Sequence, residues 1–440
     1  SAFGSANKWA NFYGASAAWV LSNESFIKDA GWINFLKLRA SWGQNGSRSV
    51  SAGATYASVG KSTGNSGVIT MTWLGDQSQL GMTTTSMANP HLSWATVEKY
   101  DLGLDFSFVD NRINGSVDVY TGNTTDMLVS RSAPYFSGFS SVYDNVGKIT
   151  NKGVELVLNT VNINGDGRDS FRWESSFVFD SNANELVSLF GPNTQGEESD
   201  DVANAVAYGF DSYYALQVGH PIGSAYDYKK LGIFQNEAEI QAHAVQPNAV
   251  PGDIKFEDVN GDGKITTADR KFIGDPNPDF TFGINNTITW KDLELTFFLN
   301  GSVGNDVFNA VKQNHSDPTA WGNKLKMVND YAQIGMRDPE GSLNDISNVY
   351  VMNPTTAQTQ RISVSGESQN DNNRVSSRFI EDGSYLRLKS ISLAYNLPKK
   401  WLQAMKLDWV QVYANAQNLF TITGYDGYDP EIGASGQSVI

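Results

Sequence analysis

The stretch "GDIKFEDVNGDGKITTADRKFIGDPNPDF" occupies residues 252–280, and "TFGINNTITWKDLELTFFLNGSVGN" continues through 281–305. The first half is a loop rich in carboxylates and glycine, and the second half reads as two alternating strands joined across Lys291 and Asp292. Phe280, Phe282, Ile284, Ile288 and Trp290 fall on one face, whereas Thr281, Gly283, Asn285, Thr287 and Thr289 fall on the other. After the turn Leu293, Leu295, Phe297, Leu299 and Val303 alternate against Asp292, Glu294, Thr296, Asn300 and Ser302, with Phe298 out of phase. One face suits hydrocarbon and the other suits water. A soluble sandwich writes the same alternation, so the hairpin alone leaves two fold classes open.

The rest of the chain separates them. The patterning predicts about twelve strands, near residues 13–22, 35–42, 96–108, 113–121, 148–162, 171–189, 213–218, 224–231, 280–290, 293–303, 379–397 and 410–423. Short connections alternate with long ones along the whole series. A sandwich has no reason to sort its connections by length, whereas an outer-membrane barrel has short periplasmic turns and long external loops. Trp19, Trp94, Trp173, Trp290 and Trp409 lie near predicted strand ends, where an interfacial aromatic belt places them. The expected fold class is therefore all-β, an antiparallel transmembrane β-barrel with long extracellular loops.

Composition narrows the function classes. No run of about 18 apolar residues exists to form a helical span. A formal net charge of -15 opposes nucleic acid, whose phosphates would be repelled. The absence of cysteine excludes thiolate metal sites, thiol nucleophiles and disulfides. The four histidines, His91, His220, His243 and His315, are too scattered for a zinc pair at helical spacing. Neither a phosphate-cradling glycine loop nor a nucleophile elbow is present, so no catalytic residue is assigned and the chain is not expected to be an enzyme.

The segment "DVNGDGKITTAD" fits the calcium-loop template. Asp258, Asn260 and Asp262 occupy the first three ligand positions, Lys264 offers its carbonyl, and Asp269 takes the last, in place of the usual glutamate. Ca2+ is the one cofactor this pattern suggests. The same side chains also close Asx turns without an ion, and that alternative stays open. Loop aromatics supply candidate substrate contacts: Tyr135, Phe136, Phe139, Tyr213, Tyr214, Trp321, Tyr425 and Tyr428.

Five stretches, the opening one among them, carry a resemblance: "NPHLSWATVEKYDLGLDFSFVDNRINGSVDVYTGNTTDML", "NVGKITNKGVELVLN", "GDIKFEDVNGDGKITTADRKFIGDPNPDFTFGINNTITW", "FIEDGSYLRLKSISLAYNLPK" and "VYANAQNLFTITGYDGYDPEIG". In content and order they resemble the C-terminal barrel portion of SusC/RagA-type TonB-dependent outer-membrane transporters of Bacteroidetes. That resemblance implies residues 1–440 are part of a longer protein, about strands 10 to 21 of a barrel of about 22, with the plug, TonB box, first strands and final strand outside the chain. It also implies import of oligosaccharide or peptide, a SusD-like surface lipoprotein, TonB and the protein's own plug domain as partners, and no nucleic acid. Two other readings compete: a secreted soluble β protein that binds carbohydrate with a calcium loop, and a siderophore or vitamin receptor without a lipoprotein lid.

Overall fold

The computed structural model describes residues 7–47, 55–61, 63–64, 67–68, 70–73, 77–80, 82–132, 137, 139, 141–165, 170–189, 206–207, 215–317, 322–362 and 370–432. Ten strands form one sheet: β1 (Gly14–Val20), β2 (Ile33–Ser47), β3 (Ala95–Phe108), β4 (Ile113–Ser132), β5 (Ser141–Ile163), β6 (Phe171–Ser188), β7 (Phe280–Trp290), β8 (Leu293–Val303), β9 (Tyr385–Asn396) and β10 (Gln411–Thr423). Each pairs with the next in chain order, giving an up-and-down meander without crossovers. Connections at 109–112 and 291–292 are tight, whereas 189–279 and 304–384 are long. Lys291 takes φ 54, the left-handed backbone that two-residue hairpin turns require.

The sequence reading expects two more strands at 213–218 and 224–231, and the structure corrects this. Residues 213–214 lie outside the described residues, Ala215–Leu216 pairs with Val206–Ala207, and Ala225–Asp227 pairs with Lys271–Gly274. Strand β6 instead pairs directly with β7. Short alternation is ambiguous, and a membrane-crossing strand needs about 9–11 residues. The expected strand at 379–397 also divides: Ile380–Asp382 joins Asp306–Phe308, while β9 begins at Tyr385. Removing two strands preserves the up and down direction of every other one.

The β1 to β5 unit shows why the sheet alternates. Leu38, Leu104 and Val117 face one another across β2, β3 and β4, as do Ala40, Leu102 and Val119. Leu102 is 54% exposed and Val119 is 51% exposed. So much bare hydrocarbon on a regular sheet is a surface made for lipid. On the opposite face Arg39, from β2, reaches Asp105 at 2.8 Å on β3 and Asp118 at 2.9 Å on β4. Gly103 lies between them, and a Cβ there would collide with Asp118 Oδ1 and the Arg39 guanidinium. Glycine is thus required for a cation to bridge three strands.

The β6 to β10 unit repeats the division and adds a buried polar site. Phe171, Trp290, Leu293, Tyr395 and Val412 line up across β6 to β10 on the apolar face. Asn286 shares that face, where the hairpin pattern omits an apolar residue, and is only 7% exposed. Its Oδ1 accepts from Trp173 Nε1 at 2.9 Å and from Ser175 Oγ at 2.7 Å. Asn162 Nδ2 donates to the same serine hydroxyl at 2.7 Å. Satisfied in this way, a polar side chain is tolerated at the lipid boundary. Asn286→Ala leaves two donors without their acceptor and is expected to cost about 1–3 kcal/mol. Urea unfolding of the detergent-folded protein checks this, and Asn286→Ala combined with Ser175→Ala should lose less than the sum of the two single changes.

Candidate functional site

The connections 189–279 and 304–384 do more than link strands: their described residues fold on one another. Lys230–Ile233 pairs with Ile254–Phe256, and Ile334–Met336 pairs with Val349–Val351. Ile233, Ile254, Phe256, Ile265, Ala332 and Val351 form a buried cluster, with Tyr228, Ala244, Ile334 and Ala357 packed against it. A second cluster joins Phe308 to Phe379.

A buried polar network holds the first cluster together. Arg361 Nε lies 3.0 Å from Asp253 Oδ1, with side chains 6% and 1% exposed. The same carboxylate accepts from Asn372 Nδ2 at 2.9 Å, and its other oxygen accepts from Val250 N at 3.0 Å. Gln246 Nε2 donates to Asn370 Oδ1 at 2.8 Å and to Ile254 O at 2.6 Å. Both oxygens of the Asp253 carboxylate are satisfied at once, as a buried charge requires.

Two ionisable groups nearby are displaced. Burial pushes the Asp227 carboxyl up to about 6, against Arg270 and Arg374. Burial, reinforced by Arg378 and Lys312, pushes the Lys230 ammonium down to about 8.

The expected calcium loop hangs from this cluster. Ile265 is buried in it, and Val245 bonds to both flanks, accepting from Ile265 N at 3.0 Å and donating to Gly263 O at 2.8 Å. Asp258 Oδ1 accepts from Gly261 N at 2.8 Å and Oδ2 from Gly263 N at 3.0 Å. Asn260 and Asp262 accept from the backbone N–H two residues on, at 2.9 and 2.8 Å. Asp269 is fully buried: one oxygen accepts from Val259 N at 3.0 Å, the other from Thr266 N at 2.6 Å, in a capping box. Asp258, Asn260 and Asp262 therefore share one exposed turn, while Asp269 braces it from within. Among the described residues, no three His, Cys, Asp or Glu side chains converge on one point.

Of the aromatic candidates, Tyr135, Phe136, Tyr213, Tyr214 and Trp321 lie outside the described residues. Phe139 is half-buried, with its N–H on Ser137 Oγ at 3.2 Å. Tyr425 and Tyr428 share the turn that follows β10: Tyr425 is half-buried and Tyr428 exposed.

That turn depends on a residue that sequence reasoning missed. Arg387, buried on the polar face of β9, grips Asp429 at 2.6 Å and Glu431 at 2.7 Å, while Lys389 reaches Glu431 at 2.8 Å. Arg387 Nε also donates to Thr421 Oγ1 at 2.8 Å, and Asn300 Nδ2 to Glu431 at 3.3 Å. The segment after β10 is therefore drawn back over the polar face of β8, β9 and β10. Burial opposes the charges of Asp429 and Glu431, but hydrogen bonds and cations outweigh it and hold both carboxyls below their usual range. A lone arginine within the alternation of β9 was the only signal available.

A lipid-facing meander with a polar opposite face, tight turns and folded long loops defines the wall of a transmembrane β-barrel. The family model "TonB dependent receptor-like, beta-barrel" matches residues 2–419, and the chain belongs to that family. It is 35% identical over 435 residues to TonB-dependent receptor P3 of Formosa agariphila, covering 98% of this chain and 39% of the relative. Against TonB-dependent receptor SusC of Bacteroides thetaiotaomicron the identity is 27%, again over 98% of this chain and 39% of the relative. Among solved structures, the RagAB peptide transporter superposes with TM-score 0.73 at 24% identity, over 98% of this chain and 42% of that one. The RagAB peptide importer in its closed-closed state gives TM-score 0.72 at 25% identity over the same shares. The chain thus spans about two fifths of the length of the relatives it matches. It is an outer-membrane protein of a transporter family and not of an enzyme family, which sets aside the soluble carbohydrate-binding reading.

The buried pair offers a direct test of the loop body. Arg361→Ala strands the Asp253 carboxylate and is expected to destabilise that body by about 3–5 kcal/mol. Limited proteolysis should then nick the 230–361 region first, while heat-modifiable gel migration of the barrel is retained.

Proposed function

We propose that this chain supplies wall and external loops of a TonB-dependent importer that carries oligosaccharides or peptides across the outer membrane. It works with a SusD-like surface lipoprotein, and with a plug and TonB box contributed by a longer protein of which this is the C-terminal barrel part. One observation carries the reading. Long loops with their own hydrophobic core and a buried ion pair form a built surface, which capture by a partner and a sizeable ligand demands and a passive wall does not. The likeness to SusC and to the RagAB peptide importer supports the nutrient class. Tyr425, Tyr428 and Phe139 remain the contact candidates among the described residues, with Tyr135, Phe136, Tyr213, Tyr214 and Trp321 alongside them.

Affinity purification of the intact protein from outer membranes in mild detergent should bring down one surface lipoprotein in comparable amount. Deletion should abolish growth on a specific oligosaccharide or peptide mixture while sparing growth on its monomers. Recovery without any lipoprotein, with iron-limited growth impaired instead, would favour the siderophore receptor.

The exposed turn is proposed to hold Ca2+ through Asp258, Asn260, Asp262 and the Lys264 carbonyl, with Asp269 bracing the turn. All are hard oxygen donors suited to that ion. Bound there, the ion would add rigidity to the loop and no chemistry. Calcium should slow proteolysis of the 256–270 segment in the native protein but not in Asp258→Asn/Asp262→Asn. Equal cleavage of the native protein with calcium or chelator would count against the ion.

A further inference from the structure

The short-turn end of the β6 to β10 unit carries an unexplained chemistry. Asn396 N donates to Asp292 O at 2.8 Å, so the Lys291–Asp292 turn and the 397–410 connection lie side by side. That connection is a short helix, Lys399–Met405, ended by Lys406 in a left-handed conformation at φ 55. Leu402 turns inward, at 4% exposed. Around it Trp401 is 58%, Leu407 48% and Trp409 67% exposed. Lys399, Lys400 and Lys406 are exposed beside them, and Lys291 Nζ stands 5.1 Å from the Trp290 ring centroid. Residues 291–292 and 397–410 thus carry four lysines against two aspartates, Asp292 and Asp408, in a chain whose formal net charge is -15.

The strip is continuous with the lipid-facing row of Trp290, Leu293, Tyr395 and Val412. Two bare indoles and a leucine are costly in water and favourable at the boundary between acyl chains and headgroups. Lysines beside them extend their stems along that boundary and set their ammonium groups at the level of the phosphates. Tight turns mark the periplasmic side, so the leaflet reached is the inner one, built of phospholipid.

We propose that residues 291–292 and 397–410 form a docking surface for anionic phospholipid headgroups of the periplasmic leaflet. The proposal rests on the outer-membrane placement of the family and is independent of which nutrient is carried.

Lipid retention by the intact protein tests it, with phosphatidylglycerol and phosphatidylcholine offered in mixed micelles and bound lipid read by native mass spectrometry. The native protein should prefer phosphatidylglycerol. Lys399→Gln/Lys400→Gln/Lys406→Gln should weaken that preference on the order of a hundredfold, from three lysines near a charged surface. Trp401→Ser/Trp409→Ser should lower retention of both lipids alike, which separates the apolar anchor from the charge. Heat-modifiable migration identifies folded variants. Native protein without preference, or a folded triple variant that keeps it, overturns the proposal. Retention of a periplasmic protein in place of lipid, lost in the same triple variant, overturns it as well. A failure of nutrient uptake or of lipoprotein copurification leaves this binding measurement unaffected.

Discussion

Hydrocarbon offers backbone N–H and C=O groups no hydrogen-bonding partner, and the rest of the molecule depends on that constraint. Ten strands answer it by pairing each with the next in chain order. Pairing fixes the register, and register fixes which side chains meet lipid. Leu102, Val119, Val412 and Ile422 are bare on one face because lipid is their solvent. Asn286, a polar group on that face, carries its own partners in Trp173 and Ser175.

Freed from facing lipid, the opposite side holds charge. Arg39 binds carboxylates on two neighbouring strands, and Arg387 draws the segment after β10 back over the sheet. The long loops meet the older constraint of soluble proteins and bury Ile254 and Phe256 around the Asp253–Arg361 pair. One chain therefore obeys two solvents, with the boundary near the strand ends where Trp290, Trp401 and Trp409 lie.

Those two solvents explain what could be read in advance. Lipid acts on every second residue, so the hairpin of β7 and β8, its turn at Lys291 and Asp292, and the alternation of short and long connections were visible without coordinates. The short stretches at 213–218 and 224–231 misled, because a few alternating residues look alike in a spanning strand and in a loop pair. The calcium-like turn was legible as a set of oxygen donors. That Asp269 turns inward to the backbone of Val259 and Thr266 was not, since this depends on where Ile265 packs.

By itself the sequence determined the fold class, the direction of the strands, the lipid-facing phase and the family, since each is written in local period or in motifs kept in order. Only the tertiary structure decided that the loops have a core, that Asp253 meets Arg361 at a separation of 108 residues, and that Arg387 grips Asp429 and Glu431. Contacts at such separations leave no periodic trace, because nothing in the chain between two partners need know of their meeting. A period arises only where the surroundings repeat, and of the two solvents only the bilayer repeats.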